Sequence, residues 1–261
     1  MAVTQKQIEV NGVSVSYADG GEGRGWLLLH GGAGPASLNA LVQPLSSRCR
    51  VIVPTHPGFD GTPRPETLAS VKALAAVYAG LLGKLGLDEV VVVGNSMGGW
   101  IAAELALLAP ERVKSVVLMN AVGIDPGPGK TITSPLSVPP EERAGLSFHD
   151  PEKFSFTPAS PEALARMAEN QKTLAVYSGT TFSYDPGLRA RLAGFRVPAL
   201  VVWGVSDRIV DADYGRRLAD SLPGSRFEPV AEAGHFPHVE QTARVLRLID
   251  GFVRDSAANL G

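Results

Sequence analysis

The apolar positions divide the chain into two regular stretches separated by an irregular one. Residues 8–10 and 13–17 alternate apolar and polar, and Asn11-Gly12 between them is a two-residue turn signal; together they predict a β-hairpin. Trp26-Leu27-Leu28-Leu29, Val51-Ile52-Val53 and Val90-Val91-Val92-Val93 are short apolar runs, as expected of strands buried on both faces of a parallel sheet. Helical spacing takes over between them. A short helix is expected over 38–45. A longer one over 67–85 carries Leu68, Val71, Leu74, Ala75, Tyr78, Leu81, Leu82 and Leu85 and stops at Gly86. An Ala/Leu-rich helix then runs to about Ala109, before a strand over 113–119. Strand alternating with helix implies right-handed crossovers and a mostly parallel sheet.

The alternation stops near Gly123 and resumes after Arg189. Proline and glycine punctuate the stretch between them, and helix starts are marked at Ser160-Pro161-Glu162 and at Asp185-Pro186. Its aromatics, among them Phe148, Phe154, Phe156, Tyr177, Phe182 and Tyr184, supply the apolar surface that a disordered linker lacks. Residues 123–189 therefore read as a mostly helical cap inserted into a core formed by 1–122 and 190–261. The core resumes with a strand over 199–203, a helix near 214–222, a strand over 226–230 and a last helix over 241–253.

Composition narrows the function more than the fold. A chain of 261 residues with 44% hydrophobic and 19% charged residues is long enough for one α/β domain with a large core. The net charge of −2, with no Lys/Arg cluster, argues against nucleic acid or an anionic membrane as the partner and leaves a small-molecule substrate. Cys49 is the single cysteine, so no intramolecular disulfide forms; it reads as a half-buried structural thiol. The N-terminal residues lack the apolar core of a signal peptide and no long apolar run could span a bilayer, which makes a cytoplasmic enzyme the expectation.

The candidate chemistry lies in Gly94-Asn95-Ser96-Met97-Gly98, a G-x-S-x-G between the valine strand and a strong helix. Such a strand-to-helix turn strains the serine backbone and presents its hydroxyl at the end of the sheet and at a helix N-terminus. A serine needs a base, and the base an orienting acid. In chain order Asp207 and His235 fit, each in a loop at the C-terminal end of a late strand and so on the same side as Ser96. Asp211, Asp213 and Asp125 are the rival acids and His238 the rival base, placed at the start of the last helix. His30 reads as a buttress of the Gly31-Gly32 loop, and His56 and His149 as loop residues without a chemical role. No His/Asp/Glu cluster is tight enough for a metal site, and the chemistry needs no cofactor.

The HGG at His30, P-G-F at Pro57, GNSMGG at Gly94, WG-x-x-D at Trp203 and GH at Gly234, in that order, resemble the α/β-hydrolase family over nearly the whole chain. The resemblance implies an eight-stranded, mostly parallel twisted sheet flanked by helices, with a lid after strand six. It also implies Ser96 as nucleophile, His235 as general base then acid, and Asp207 as orienting acid. The oxyanion hole would be the backbone N–H groups of Met97 and of Gly32, with Ala33 beside it; Ala33, Trp100 and Phe236 are pocket candidates. The main expectation is hydrolysis of a carboxylic ester or related acyl bond of a small, largely apolar substrate through an acyl-Ser96 intermediate. The alternative is carbon–carbon hydrolysis of ring-fission (vinylogous diketone) products. Phe236 stands where that group usually has tryptophan, and Arg166 is the lid arginine available for a substrate carboxylate. A ligand receptor on a hydrolase scaffold is the alternative of another class.

Overall fold

The computed structural model describes residues 3–139, 142–156 and 160–258; the ends of the expected core (1–2, 259–261) and residues 140–141 and 157–159 of the expected cap lie outside them. The first half contains β1 (Thr4–Val10), β2 (Val13–Gly20), β3 (Gly25–Leu29), α1 (Asn39–Ser46), β4 (Arg50–Thr55), α2 (Val71–Lys84), β5 (Val90–Asn95), α3 (Met97–Leu108) and β6 (Val113–Met119). Then come α4 (Arg143–Ser147), α5 (Pro161–Ser178) and α6 (Leu188–Leu192). The chain finishes with β7 (Ala199–Gly204), α7 (Ala212–Asp220), β8 (Arg226–Val230), α8 (Pro237–Glu240) and α9 (Thr242–Ala258).

All eight strands form one sheet in the order β1-β2-β4-β3-β5-β6-β7-β8. The hairpin pairing and β2–β4 are antiparallel; every other pairing is parallel. The expected eight-stranded, mostly parallel sheet with a helical insertion after the sixth strand is therefore borne out. The four valines of β5 show why an unbroken apolar run belongs at its centre. Val90 and Val92 face a core shared with α2 and α3, while Val91 and Val93 face the opposite core, with Leu41, Leu45, Val245 and Ile249. Among the described residues no helix is long and apolar enough to cross a membrane.

Helix starts follow side-chain caps rather than the first apolar residue. The helix expected from 67 begins at Val71, because extended Ser70 accepts a hydrogen bond from Ala73 N (3.1 Å). Asp211 caps α7 through Tyr214 N (2.8 Å), and Ser160 caps α5 as expected. Asp185-Pro186 does not open a helix. Asp185 Oδ1 accepts from Gly187 N (2.7 Å) in a local turn, and α6 begins at Leu188. His238 does not start the last helix either; it lies in α8, which ends at Glu240 and is followed by Gln241 in a non-helical conformation.

The two ends of the insertion lie side by side. Gly123 pairs with Tyr184 in a parallel bridge, and Asp185 N donates to Gly123 O (2.8 Å). At the other crowded crossing, β5 turns into α3 directly against β3. A Cβ on Gly98 would run into the Leu29 carbonyl oxygen and lie 2.7 Å from that of His30, and a Cβ on Gly94 would collide with the backbone of Gly98. Both neighbours are backbone and cannot rotate away. Gly98→Ala should destabilise the fold by about 1–3 kcal/mol or more, read as a lowered Tm; an unchanged Tm would mean that the crossing is looser than drawn.

Candidate active site

Ser96 follows β5 and caps α3 with φ 56° and ψ −122°, a left-handed conformation that a residue with a Cβ adopts only when its surroundings impose it. Those surroundings are hydrogen bonds. Ser96 N donates to Met119 O (3.0 Å), and Ser96 O accepts from Gly99 N (3.0 Å) and Val122 N (3.3 Å). Gly31 lies directly against the side chain: a Cβ there would be 2.8 Å from Ser96 Cβ and 3.4 Å from Oγ. Only glycine lets the loop after β3 approach the serine so closely.

The loops after β7 and β8 bring Asp207 and His235 together. His235 Nδ1 donates to Asp207 Oδ2 at 2.7 Å, and both residues are buried. With Nδ1 carrying the proton, Nε2 is left as the accepting nitrogen. Asp207 is fully supplied with donors. Oδ2 also accepts from Asn120 Nδ2 (2.7 Å), and Oδ1 accepts from Ile209 N (2.8 Å) and Val210 N (3.2 Å). These four hydrogen bonds leave neither carboxyl oxygen of this buried side chain without a donor. Asn120 turns its oxygen to Gly204 N (3.0 Å), so it fixes the acid and the end of β7 at once. Asn95 Nδ2 donates to His235 O (2.9 Å) and Met119 O (3.1 Å), tying the residue before the serine to the histidine loop. Ser96 Oγ itself makes no hydrogen bond to any described residue, unlike the Asp207–His235 pair.

Beside Ser96, the N–H groups of Met97 and Gly32 both lack a partner among the described residues. Met97 opens α3, where the helix has no acceptor for it. The Gly32 amide belongs to a turn closed by Gly34 N to Gly31 O (3.2 Å). Above Gly32 sits α5: a Cβ on Gly32 would be 2.7 Å from Leu174 Cδ2, and Gln171 Nε2 donates to Gly32 O (3.3 Å). Ala33 beside it is exposed. Phe236 packs with Phe148 and Phe156 and edge-on to the His235 ring, 5.2 Å between centroids. Trp100 lies in the core beneath Gly123, with its indole N–H toward Glu104 (3.4 Å).

The remaining histidines are structural, and His56 differs from its expectation as a plain loop residue. His30 and His56 are fully buried and stacked at 3.7 Å. His30 Nδ1 donates to Gly31 O (2.7 Å), and its Nε2 accepts from His56 N (3.1 Å). His56 Nε2 donates to His30 O (2.8 Å), and its Nδ1 accepts from the Tyr78 hydroxyl. This chain of neutral donors and acceptors orients the peptide that ends in the Gly32 amide, the buttressing expected of His30 alone. His56 and Tyr78 carry no sequence signature for that part; an apolar helical position and a histidine in a Pro-rich loop look ordinary. His238 donates to Ser37 O (3.0 Å). Asp211 caps α7 and pairs with Lys130 (3.0 Å); Asp213, also a rival acid, meets Lys130 and Arg216. Asp125 accepts from Gly127 N in its own loop. Burial pushes the Cys49 thiol up to about 11, which keeps it protonated. Among the described residues no group of three or more His, Cys, Asp or Glu could hold a metal ion.

A family model described as alpha/beta hydrolase fold matches residues 27–242. The chain belongs to that family. Among relatives of this α/β-hydrolase is the 2-hydroxy-6-oxo-2,4-heptadienoate hydrolase of Pseudomonas putida, 29% identical, covering 95% of this chain and 95% of that protein. The 2-hydroxymuconate semialdehyde hydrolase of Pseudomonas putida is 28% identical over 97% of this chain and 95% of its own. A solved meta-cleavage product hydrolase from Pseudomonas fluorescens IP01 is 25% identical, with a TM-score of 0.79 over 96% of this chain and 98% of its own. This chain is accordingly an enzyme of the α/β-hydrolase fold.

The buried histidines of this α/β-hydrolase set an acid limit to its stability. Burial lowers His30 and His238 from 6.5 to about 4, against the weaker pull of the carbonyls of Gly31 and Ser37; burial and the neighbouring His30 hold His56 well below 6.5. Each is neutral when folded and protonated when unfolded in that window, so its stabilisation is complete above about 6.5 and declines as pH falls toward 4, by about 1.4 kcal/mol per pH unit per group. Denaturant titrations from pH 7 to 4.5 should show this slope. His238→Gln, which keeps a donor for Ser37 O but does not titrate, should make it shallower; an unchanged slope would remove His238 from the account.

Proposed function

We propose that Ser96, His235 and Asp207 act as nucleophile, general base and orienting acid, with the Met97 and Gly32 amides as oxyanion donors. The reaction we assign to them is hydrolysis of the carbon–carbon bond in a ring-fission dienoate. The observation that carries this reading is the pair of relatives named for such substrates, matched over 95–97% of this chain. It moves the ring-fission alternative ahead of the ester expected first.

The geometry supports the chemistry in steps. His235 Nε2, left unprotonated by the Asp207 contact, takes the Ser96 hydroxyl proton as Oγ attacks the keto carbon. The oxygen of that carbon becomes an oxyanion facing two N–H groups that have no other acceptor, each such donor being worth about 2.7–4 kcal/mol in the transition state. In the diketo tautomer of the dienoate, formed as the 2-hydroxyl proton moves to the carbon beside the keto group, the carbon–carbon bond then breaks and the electron pair left on that carbon is delocalised onto the distal carbonyl. The proton held on His235 passes to that carbon, leaving an acyl-Ser96. Water, deprotonated by His235, releases the acid and restores the serine. One water is consumed and two products form.

A simple ester is the second reading, and one observation favours it. Arg166, the arginine expected to meet a substrate carboxylate, is exposed on α5, whereas the residue of that helix reaching Gly32 is the neutral Gln171. The test is a side-by-side assay of 2-hydroxy-6-oxo-2,4-heptadienoate and p-nitrophenyl acetate. The expected result is a clearly larger kcat/KM for the dienoate, falling by on the order of 10⁴-fold or more in Ser96→Ala. Turnover of the ester with none of the dienoate would overturn the carbon–carbon assignment and leave the ester. Undiminished turnover of both by Ser96→Ala would overturn the triad itself.

A further inference from the structure

One carboxylate outside the proposed triad joins the insertion to the histidine loop. Glu240, the last residue of α8, accepts three backbone N–H groups and, among the described residues, no side-chain donor. Oε2 takes Gly234 N at 2.6 Å; Oε1 takes His149 N at 2.9 Å and Asp150 N at 3.1 Å. Gly234 immediately precedes His235, while His149 and Asp150 lie just past α4 in the insertion. The two segments also meet directly. His235 N donates to Ser147 O at 2.7 Å, so close a passage that a Cβ on Gly234 would be 3.0 Å from Phe148 Cα. His149 Nδ1 adds a link to Ser206 Oγ (2.8 Å), next to Asp207, and Arg208 N donates to Leu146 O (3.1 Å). Residues 145–150 are thus laced to both loops that carry the acid and the base.

We infer that Glu240 is a positioning residue for His235, holding segment 147–150 of the insertion against the histidine loop so that the imidazole keeps one orientation. The inference rests on the role proposed above for His235. The physical reason is the anion. Ionised carboxylate oxygens only accept, and bonds to a charged acceptor are short and strong. Glu240 therefore supplies acceptors to three amides that no strand or helix serves. Glutamine is the telling replacement, since its amide nitrogen donates and must face at least one N–H group. Once the clamp is lost, Ser147 O moves from His235 N, and the imidazole loses a support that is independent of Asp207. Angular precision at the base matters in the transition state more than in binding, so the loss should fall on kcat.

Glu240→Gln, Glu240→Asp and His149→Ala should be measured in the full-length enzyme, with active sites counted by phosphonate labelling and kcat taken per labelled site. Glu240→Gln should lower kcat by roughly 10- to 100-fold with KM changed by less than about threefold, and amide exchange should quicken at 147–150 and 234–236. Glu240→Asp, shorter by one methylene but still an anion, should restore part of the rate. His149→Ala should cost less, since its backbone N–H remains. A kcat per labelled site within about twofold of wild type in Glu240→Gln, with only Tm or the labelled fraction reduced, would overturn the inference by making Glu240 merely structural. If Glu240→Gln does not fold, unchanged kcat and unchanged exchange in Glu240→Asp and His149→Ala overturn it equally. Failure of the proposed function looks different: wild type would then turn over neither substrate nor take the label, while the exchange comparison still decides whether Glu240 holds the two segments together.

Discussion

The bend at Ser96 is the constraint on which the rest depends. A left-handed backbone at a residue with a Cβ costs on the order of 1–3 kcal/mol and persists only where neighbours over-determine it. Here they do so through backbone: Met119 accepts from Ser96 N, while Gly99 and Val122 donate to its carbonyl. β5 is locked between β3 and β6 up to that residue, and α3 starts immediately after it. The strand can therefore neither unwind nor slip to relieve the bend. Four glycines make the geometry possible. Gly94 and Gly98 let the helix cross its own strand and β3, Gly31 lets the neighbouring loop lie on the serine, and Gly99 clears Ala121.

Two solutions to buried polarity meet around that bend. Asp207 is a buried carboxyl group, and each of its oxygens receives two donors. An ion in a low-dielectric interior persists only when so supplied. The stack of His30 on His56 takes the other course. Its members are neutral, and each nitrogen finds the complement its tautomer needs, in a sequence running from the Tyr78 hydroxyl to the Gly31 carbonyl. A neutral chain holds a peptide in place without adding a charge next to the oxyanion of the proposed reaction. A cation at His56 would attract that oxyanion, but it would also have to be desolvated permanently, which explains why burial keeps both rings unprotonated.

How much of this was readable from the sequence depended on whether a residue's part is local. The strands were legible because burial on both faces removes every polar residue from them, as in Val90–Val93, and the serine turn because its glycines sit at fixed offsets. The acid and the histidine could be placed at one end of the sheet because parallel strands all deliver their following loops there. Helix starts were less legible: Leu68 looks helical by spacing, yet Ser70 supplies the cap and the helix waits for it. Asp185-Pro186 imitates a cap because a side-chain-to-amide turn uses the same residue types. Least visible were His56, Tyr78, Asn120 and Glu240. Their partners lie 22 to 91 residues away in sequence or are plain backbone groups, and nothing in a one-dimensional pattern distinguishes a buried acceptor from a solvated one.

The core and the insertion divide the labour unevenly. The backbone of Ser96 and the side chains of Asp207 and Asn120 are bonded by core residues, although the loop of Asp207 also meets the insertion through Ser206 and Arg208. The Gly32 peptide and the His235 loop are different. One is covered by Leu174 and bonded by Gln171 from α5; the other lies on Ser147 and shares Glu240 with His149 and Asp150. Further bonds seat α5 on the loop after β4: Asn170 with Asp60, Thr173 with Gly58 O (2.9 Å), and Tyr177 with Pro57 O (2.8 Å). The insertion therefore touches the Gly32 peptide and the His235 loop, the two parts that would have to be placed most exactly as charge develops in the proposed reaction. In the proposed reaction, a change of insertion that moved α5 or segment 147–150 would also shift the Gly32 amide or His235. Substrate fit and rate would then be mechanically joined, because the segments the insertion contributes also carry hydrogen bonds that hold the proposed reacting groups.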